Sequence, residues 1–125
     1  MPRKRQDDLP PESLEDRWLL EAQTARNLEA FEAEQQGRLA EATALYERNV
    51  AEGFPGDLPY GRLVAIYERL GTSDALDAAE RVLRRAIAVF QSSTRRTPQD
   101  RRATLRVFQR RLRLLEQRRG GDRTA

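Results

Sequence analysis

At 125 residues the chain is long enough for one domain with a modest core, and 38% hydrophobic against 34% charged residues suits thin amphipathic helices better than a thick sandwich. With no Cys, no His and a single lysine, Lys4, it has no disulfide, no thiolate or imidazole metal site and no Cys- or His-based catalytic group. The net charge of +3 hides an asymmetry: residues 12–54 carry ten acids against four Arg, 55–94 balance five against five, and 95–125 carry eleven Arg against three acids.

Residues 1–10 are charged and lack the apolar stretch of a signal peptide, which predicts a disordered tail and no secretion by that route. Pro10-Pro11 precedes a first helix over 12–36, with Ser13 and Asp16 placed as a capping box and Gly37 at its end. A second helix over 39–52 carries one apolar stripe, Leu39, Ala42, Leu45, Tyr46 and Val50. Gly53-Phe54-Pro55-Gly56 breaks the pattern, and Asp57 is predicted to cap a third helix over 58–70 that Gly71 closes. Thr72 or Ser73 caps a fourth helix, 74–92, striped by Leu76, Ala79, Val82, Leu83, Ala86, Ile87 and Phe90. Thr97-Pro98-Gln99-Asp100 combines an N-cap, a proline at the first helical position and an acid in the first turn. It opens a fifth helix over 98–118, whose Leu105, Phe108, Leu112 and Leu115 recur at steps of 3, 4 and 3. Burying that seam contributes about 6–10 kcal/mol before entropy, so it is predicted to be used inside the fold. Gly120 and Gly121 are predicted to end the helix and leave 120–125 as a second disordered tail. No stretch alternates as a strand would. The expected fold is all-α, one domain over 11–119, an antiparallel stack of helix pairs.

A small-then-bulky pair occurs twice, as Ala42 with Tyr46 and Ala79 with Leu83, 37 residues apart. Around the second copy the chain reads Tyr60, Leu63, Val64, Tyr67, the Gly71 turn, Ala79, Leu83 and Ala86. This resembles the tetratricopeptide repeat (TPR), a helix pair of about 34 residues with the pattern W-x2-L-G-x2-Y, A-x3-F and P. The first copy matches only in its second half, at Gly37, Ala42, Tyr46 and Pro55; Arg26, Glu29, Ala30 and Ala33 stand where the first half asks for large apolar, Leu, Gly and Tyr. The resemblance covers residues 24–90 and extends to small bacterial TPR proteins of unassigned role; a generic five-helix bundle is the alternative. It implies a right-handed α-solenoid of about two repeats. The first and fifth helices then serve as caps, and Trp18 is expected to pack within the first cap.

The resemblance also implies a function: a non-catalytic adaptor, located in the cytoplasm, that holds a peptide or helix of a protein partner on a concave face. Carried over by position, that face holds Asn27, Phe31 and Glu34 from the first unit and Arg62, Glu68 and Arg69 from the second. A rival reading starts from the last helix, where Arg102, Arg106, Arg110 and Arg113 share one arc and form a ridge able to follow phosphates of a nucleic acid. It lacks the helix-turn-helix spacing, zinc motif and aromatic platform of dedicated readers. A third reading joins the basic end to the acidic early segment of a second copy as a homo-oligomer. Catalysis has only scattered carboxylates to use, such as Glu29, Glu32 and Glu34 or Asp74 and Asp77. No catalytic residue, metal, cofactor or membrane contact is predicted, and no segment has the roughly 20 apolar residues of a membrane span.

Overall fold

A computed structural model describes residues 13–92 and 97–124. The described residues form five α-helices and no strand: α1 Leu14–Gln35, α2 Leu39–Ala51, α3 Leu58–Leu70, α4 Ser73–Ser92 and α5 Pro98–Thr124. Their bounds fall within two residues of the predicted ones, except at the end of α5. That helix runs through Gly120 and Gly121 to Thr124, which corrects the predicted stop at 118 and the tail from 120. A glycine weakens a helix by about 1 kcal/mol but turns the chain only when its φ becomes positive, and neither of these does. Arg119, one turn back from the end, is also tied to Asp77 and Glu80 on α4. The predicted tail over 1–10 lies outside the described residues.

Short-range chemistry sets the helix ends. The side chains of Ser13, Thr72 and Thr97 accept from the backbone N–H of Asp16, Ala75 and Asp100 at 3.0, 3.1 and 3.2 Å. Thr72 is therefore the cap of α4, and Ser73 is its first helical residue. Asp57 stands at the start of α3 but makes no capping bond. Its backbone is already near-helical, with φ −80° and ψ −19°, whereas a cap reaches back from an extended conformation. Gly71 closes α3 at φ +68°, and its N–H donates to the Tyr67 carbonyl at 3.0 Å. A side chain there would be strained, so this sharp reversal needs glycine.

Each helix packs on its neighbours in the chain: α1 on α2, α2 on α3, α3 on α4 and α4 on α5. Connections of a few residues force successive helices back on one another, which makes the antiparallel pairs. Ala42, Tyr46, Ala79 and Leu83 are all fully buried, so the repeated pair is scaffold. The centre of the core joins α3, α4 and α5 through three rings. Tyr60 meets Phe90 and Phe108 edge-on at 5.9 and 6.1 Å, and Phe90 stacks on Phe108 at 5.7 Å. Phe108, Leu112 and Leu115 are buried and Leu105 packs beside them, so the seam of α5 serves the fold.

At the other end, α1 adds only Ala30 and Ala33 to the apolar core. Its middle is held to α2 by polar groups. Buried Asn49 donates to the Gln23 carbonyl at 2.8 Å and to Asn27 Oδ1 at 2.7 Å, and accepts from Arg26 at 2.5 Å. Gln23 and Arg26 also reach Glu52, at 3.1 and 2.9 Å. Gln23, Arg26 and Asn27 thus fasten a helix that gives the core no large apolar side chain. Among the described residues no buried side-chain polar atom is left without a partner. Trp18 is 62% exposed, which corrects its expected burial in the cap. Nine residues separate it from buried Asn27, half a turn around the helix, so it faces away from α2.

Candidate interaction surfaces

Of the six residues carried over to a concave face, three helices bring Glu34 and Arg62 together. Tyr46 Oη on α2 donates to Glu34 Oε1 at 3.1 Å, as does Arg62 Nε on α3, and Arg62 Nη2 bonds the other carboxylate oxygen. The Arg62 guanidinium holds the Glu34 carboxyl below its ordinary value despite burial, while burial, then Glu34, pushes the Tyr46 hydroxyl up. This triad is a clamp within the fold. Asn27 is 5% exposed and spent on Asn49, which corrects its placement on an open face. Its position on α1 turns it toward α2, where the polar seam lies. Glu68 is paired with Arg111 of α5 at 3.4 Å.

Phe31 and Arg69 remain exposed, Phe31 at 43%. Arg69 makes no ion pair among the described residues, although its charge helps depress the Glu34 carboxyl. It borders a cleft of about 190 Å³ lined by Glu34, Leu39, Arg62, Ala65, Ile66, Arg69 and Leu70. Leu39 and Leu70 are exposed beside it. The apolar stripe of the second helix placed Leu39 on the core-facing side, which its 40% exposure corrects; Leu39 and Leu70 both sit at helix ends, beyond the reach of the core.

A second cleft of about 480 Å³ lies where α1, the α2–α3 turn and the end of α4 meet, with Leu19, Leu20, Pro55 and Val89 among its walls. Its Glu52 is pushed up by partial burial but drawn below its ordinary value by the bonds from Arg26, Gln23 and Arg48. Its Arg85 donates to the Val50 and Ala51 carbonyls at 3.2 and 3.1 Å and so satisfies the end of α2. Glu52 and Arg85 are thus committed to the fold.

The two terminal helices each turn an outer face to solvent. Arg102, Arg106, Arg110 and Arg113 are all exposed on α5 and make no ion pair among the described residues. Their inward neighbours differ: Arg111 pairs with Glu68, and Arg119 with Asp77 and Glu80. Val107 and Leu114 lie exposed beside the ridge. On α1 the outward face shows Leu14, Trp18 and Leu28, so the tryptophan expected inside the cap stands in an exposed apolar stripe. Among the described residues no cluster of His, Cys, Asp or Glu is arranged to hold a metal ion, and no helix is long and apolar enough to cross a membrane.

No family model matches this chain, and no curated protein or solved structure does so either.

Proposed function

We propose that the chain is a non-catalytic interaction module of the tetratricopeptide kind, which holds a peptide or helix of a partner protein against the α1–α3 face. One observation carries the reading: Arg69, an exposed cation without an ion pair among the described residues, stands at an apolar cleft with Leu39, Ile66 and Leu70. A carboxylate next to an apolar side chain suits that pairing, because the guanidinium bonds the acid while the cleft takes the hydrocarbon. The Glu34–Arg62–Tyr46 clamp makes the floor rigid, which lowers the entropy lost on binding.

Selection from a displayed library of acidic–apolar peptides tests this. Selected peptides are expected to bind the isolated chain and to lose about tenfold in affinity on Arg69→Glu, with helix content unchanged. Peptides that bind Arg69→Glu equally well, or a selection that yields no binder, would remove the proposal.

A further inference from the structure

We infer that the outer faces of α1 and α5 are complementary, and that copies of this chain join head to tail through them. The α1–α3 cleft plays no part in this contact, so the inference stands apart from the peptide reading.

Both helices are terminal in the packing order, and each turns one side away from the fold. A terminal repeat that ends its stack in water carries a polar outer face. Here both ends are charged but also leave large apolar side chains in water. On α1, Leu14, Trp18 and Leu28 are 60, 62 and 69% exposed, among the exposed acids Glu21, Glu29 and Glu32. On α5, Val107 and Leu114 are 57 and 53% exposed beside Arg102, Arg106, Arg110 and Arg113. One face is apolar and acidic; the other is apolar and basic.

The dimensions agree. Glu21 to Glu32 and Arg102 to Arg113 each cover eleven residue steps, about 16 Å of helix. The arginines of α5 also divide by side. Arg111 and Arg119 face α3 and α4 and are paired there, while the four outward ones have no ion pair among the described residues. A second copy of α1 supplies carboxylates at the matching length and covers the only tryptophan. Contact of α1 with α1, or of α5 with α5, sets like charges together, which leaves the head-to-tail arrangement. Because that contact is not self-complementary, it propagates into rings or open chains of stacks. A nucleic acid would account for the arginines. It would leave Leu14, Trp18 and Leu28 uncovered and set Val107 and Leu114 against phosphates.

Sedimentation velocity over a wide concentration range, at about 50 mM salt, reads the inference directly. The expected mass rises above the 14.4 kDa of one chain with concentration and falls back in about 0.5 M salt. Trp18 emission is expected to shift to the blue in parallel as its ring leaves water. Two charge-reversed chains sharpen the test. One carries Arg102→Glu, Arg106→Glu, Arg110→Glu and Arg113→Glu; the other carries Glu21→Arg, Glu29→Arg and Glu32→Arg. Each alone is expected to stay monomeric, and an equimolar mixture to assemble, because every reversed face then meets an opposite one. The single variants Arg110→Glu and Glu29→Arg, expected to weaken assembly several-fold each, serve if a multiple variant loses helix content. A wild-type chain that stays monomeric throughout overturns the inference. So does a mixture that fails to assemble, or a reversed chain that still self-associates. A wild-type chain that remains monomeric but shifts duplex or single-stranded nucleic acid at physiological salt, through the four arginines, assigns the ridge to nucleic acid instead.

Discussion

Truncating Phe108 to alanine removes the ring that locks the last helix onto the rest of the protein. Phe108 is 2% exposed, stacked on Phe90 at 5.7 Å and met edge-on by Tyr60 at 6.1 Å. Loss of a buried phenylalanine ring costs about 3–5 kcal/mol through lost transfer energy and the cavity left behind. Two aromatic contacts, each worth about 0.5–1.5 kcal/mol beyond area, place Phe108→Ala in the upper half of that range. Total stabilities of about 5–15 kcal/mol make this about a quarter or more of what holds the domain. For a chain of this size the change corresponds to a fall in Tm of roughly 12–20 °C. Val107 is next in sequence but 57% exposed, so Val107→Ala is expected to stay within about 0.5 kcal/mol. Urea unfolding followed by far-UV circular dichroism checks both. It should run at low protein concentration and high salt, so that self-association adds nothing to the apparent stability. A loss below about 1.5 kcal/mol for Phe108→Ala, or equal losses for the two variants, would refute α5 as an integral part of the core.

Three further outcomes follow from the polar contacts and the last helix. Asn49→Ala leaves Arg26, Asn27 and the Gln23 carbonyl without the partner they share, and is expected to cost about 2–4 kcal/mol in the same urea assay. A loss under about 1 kcal/mol would mean that water replaces the amide there. For Glu34 the bond from Arg62, which outweighs burial, lowers the folded-state pKa, so its stabilisation is fully present above the ordinary value of 4.5 and is lost as pH falls through the lower folded value. Glu34→Gln is therefore expected to be about 1 kcal/mol less stable than wild type near neutral pH, a figure kept small because Arg62 is 38% exposed. Unfolding midpoints measured across an acid series should show that gap closing below pH 4.5; a constant gap would separate the effect from ionisation. Gly120→Ala meets open space with its new methyl group and is expected to raise local helix stability by about 0.5–1 kcal/mol, read as slower amide exchange over the last turns of α5. Faster exchange there would argue against a helix that continues through Gly120.

The helices themselves were legible because their signals are local. A capping hydroxyl acts over three residues, as Ser13, Thr72 and Thr97 do, and the stripe of α4 recurs within a turn. The two misread ends have local causes that residue identity does not report. Asp57 has a backbone that keeps its carboxylate from capping, and Gly120 and Gly121 keep negative φ inside a helix. The candidate surface was less legible. Asn27, Glu34, Arg62 and Glu68 were placed by repeat position. Their partners, Asn49, Tyr46 and Arg111, lie twelve or more residues away, or, for Glu34 and Arg62, are each other.

By itself the sequence determined that this protein is all-α, where four of its helices begin and end and where the fifth begins, which small and bulky residues form the scaffold, and that charge is acidic early and basic late. These depend on neighbours within a turn or two, or on composition alone. Only the tertiary structure decided which charged groups are spent and which are free. Trp18 faces outward because its helix packs on one side only, Glu34 is spent on Arg62 while Arg69 is left open, and the outer arginines of α5 differ from the inner ones by the helices they face. An amphipathic pattern says that a helix has a covered side; what covers it, and what the other side still offers, depends on contacts between residues far apart in the chain.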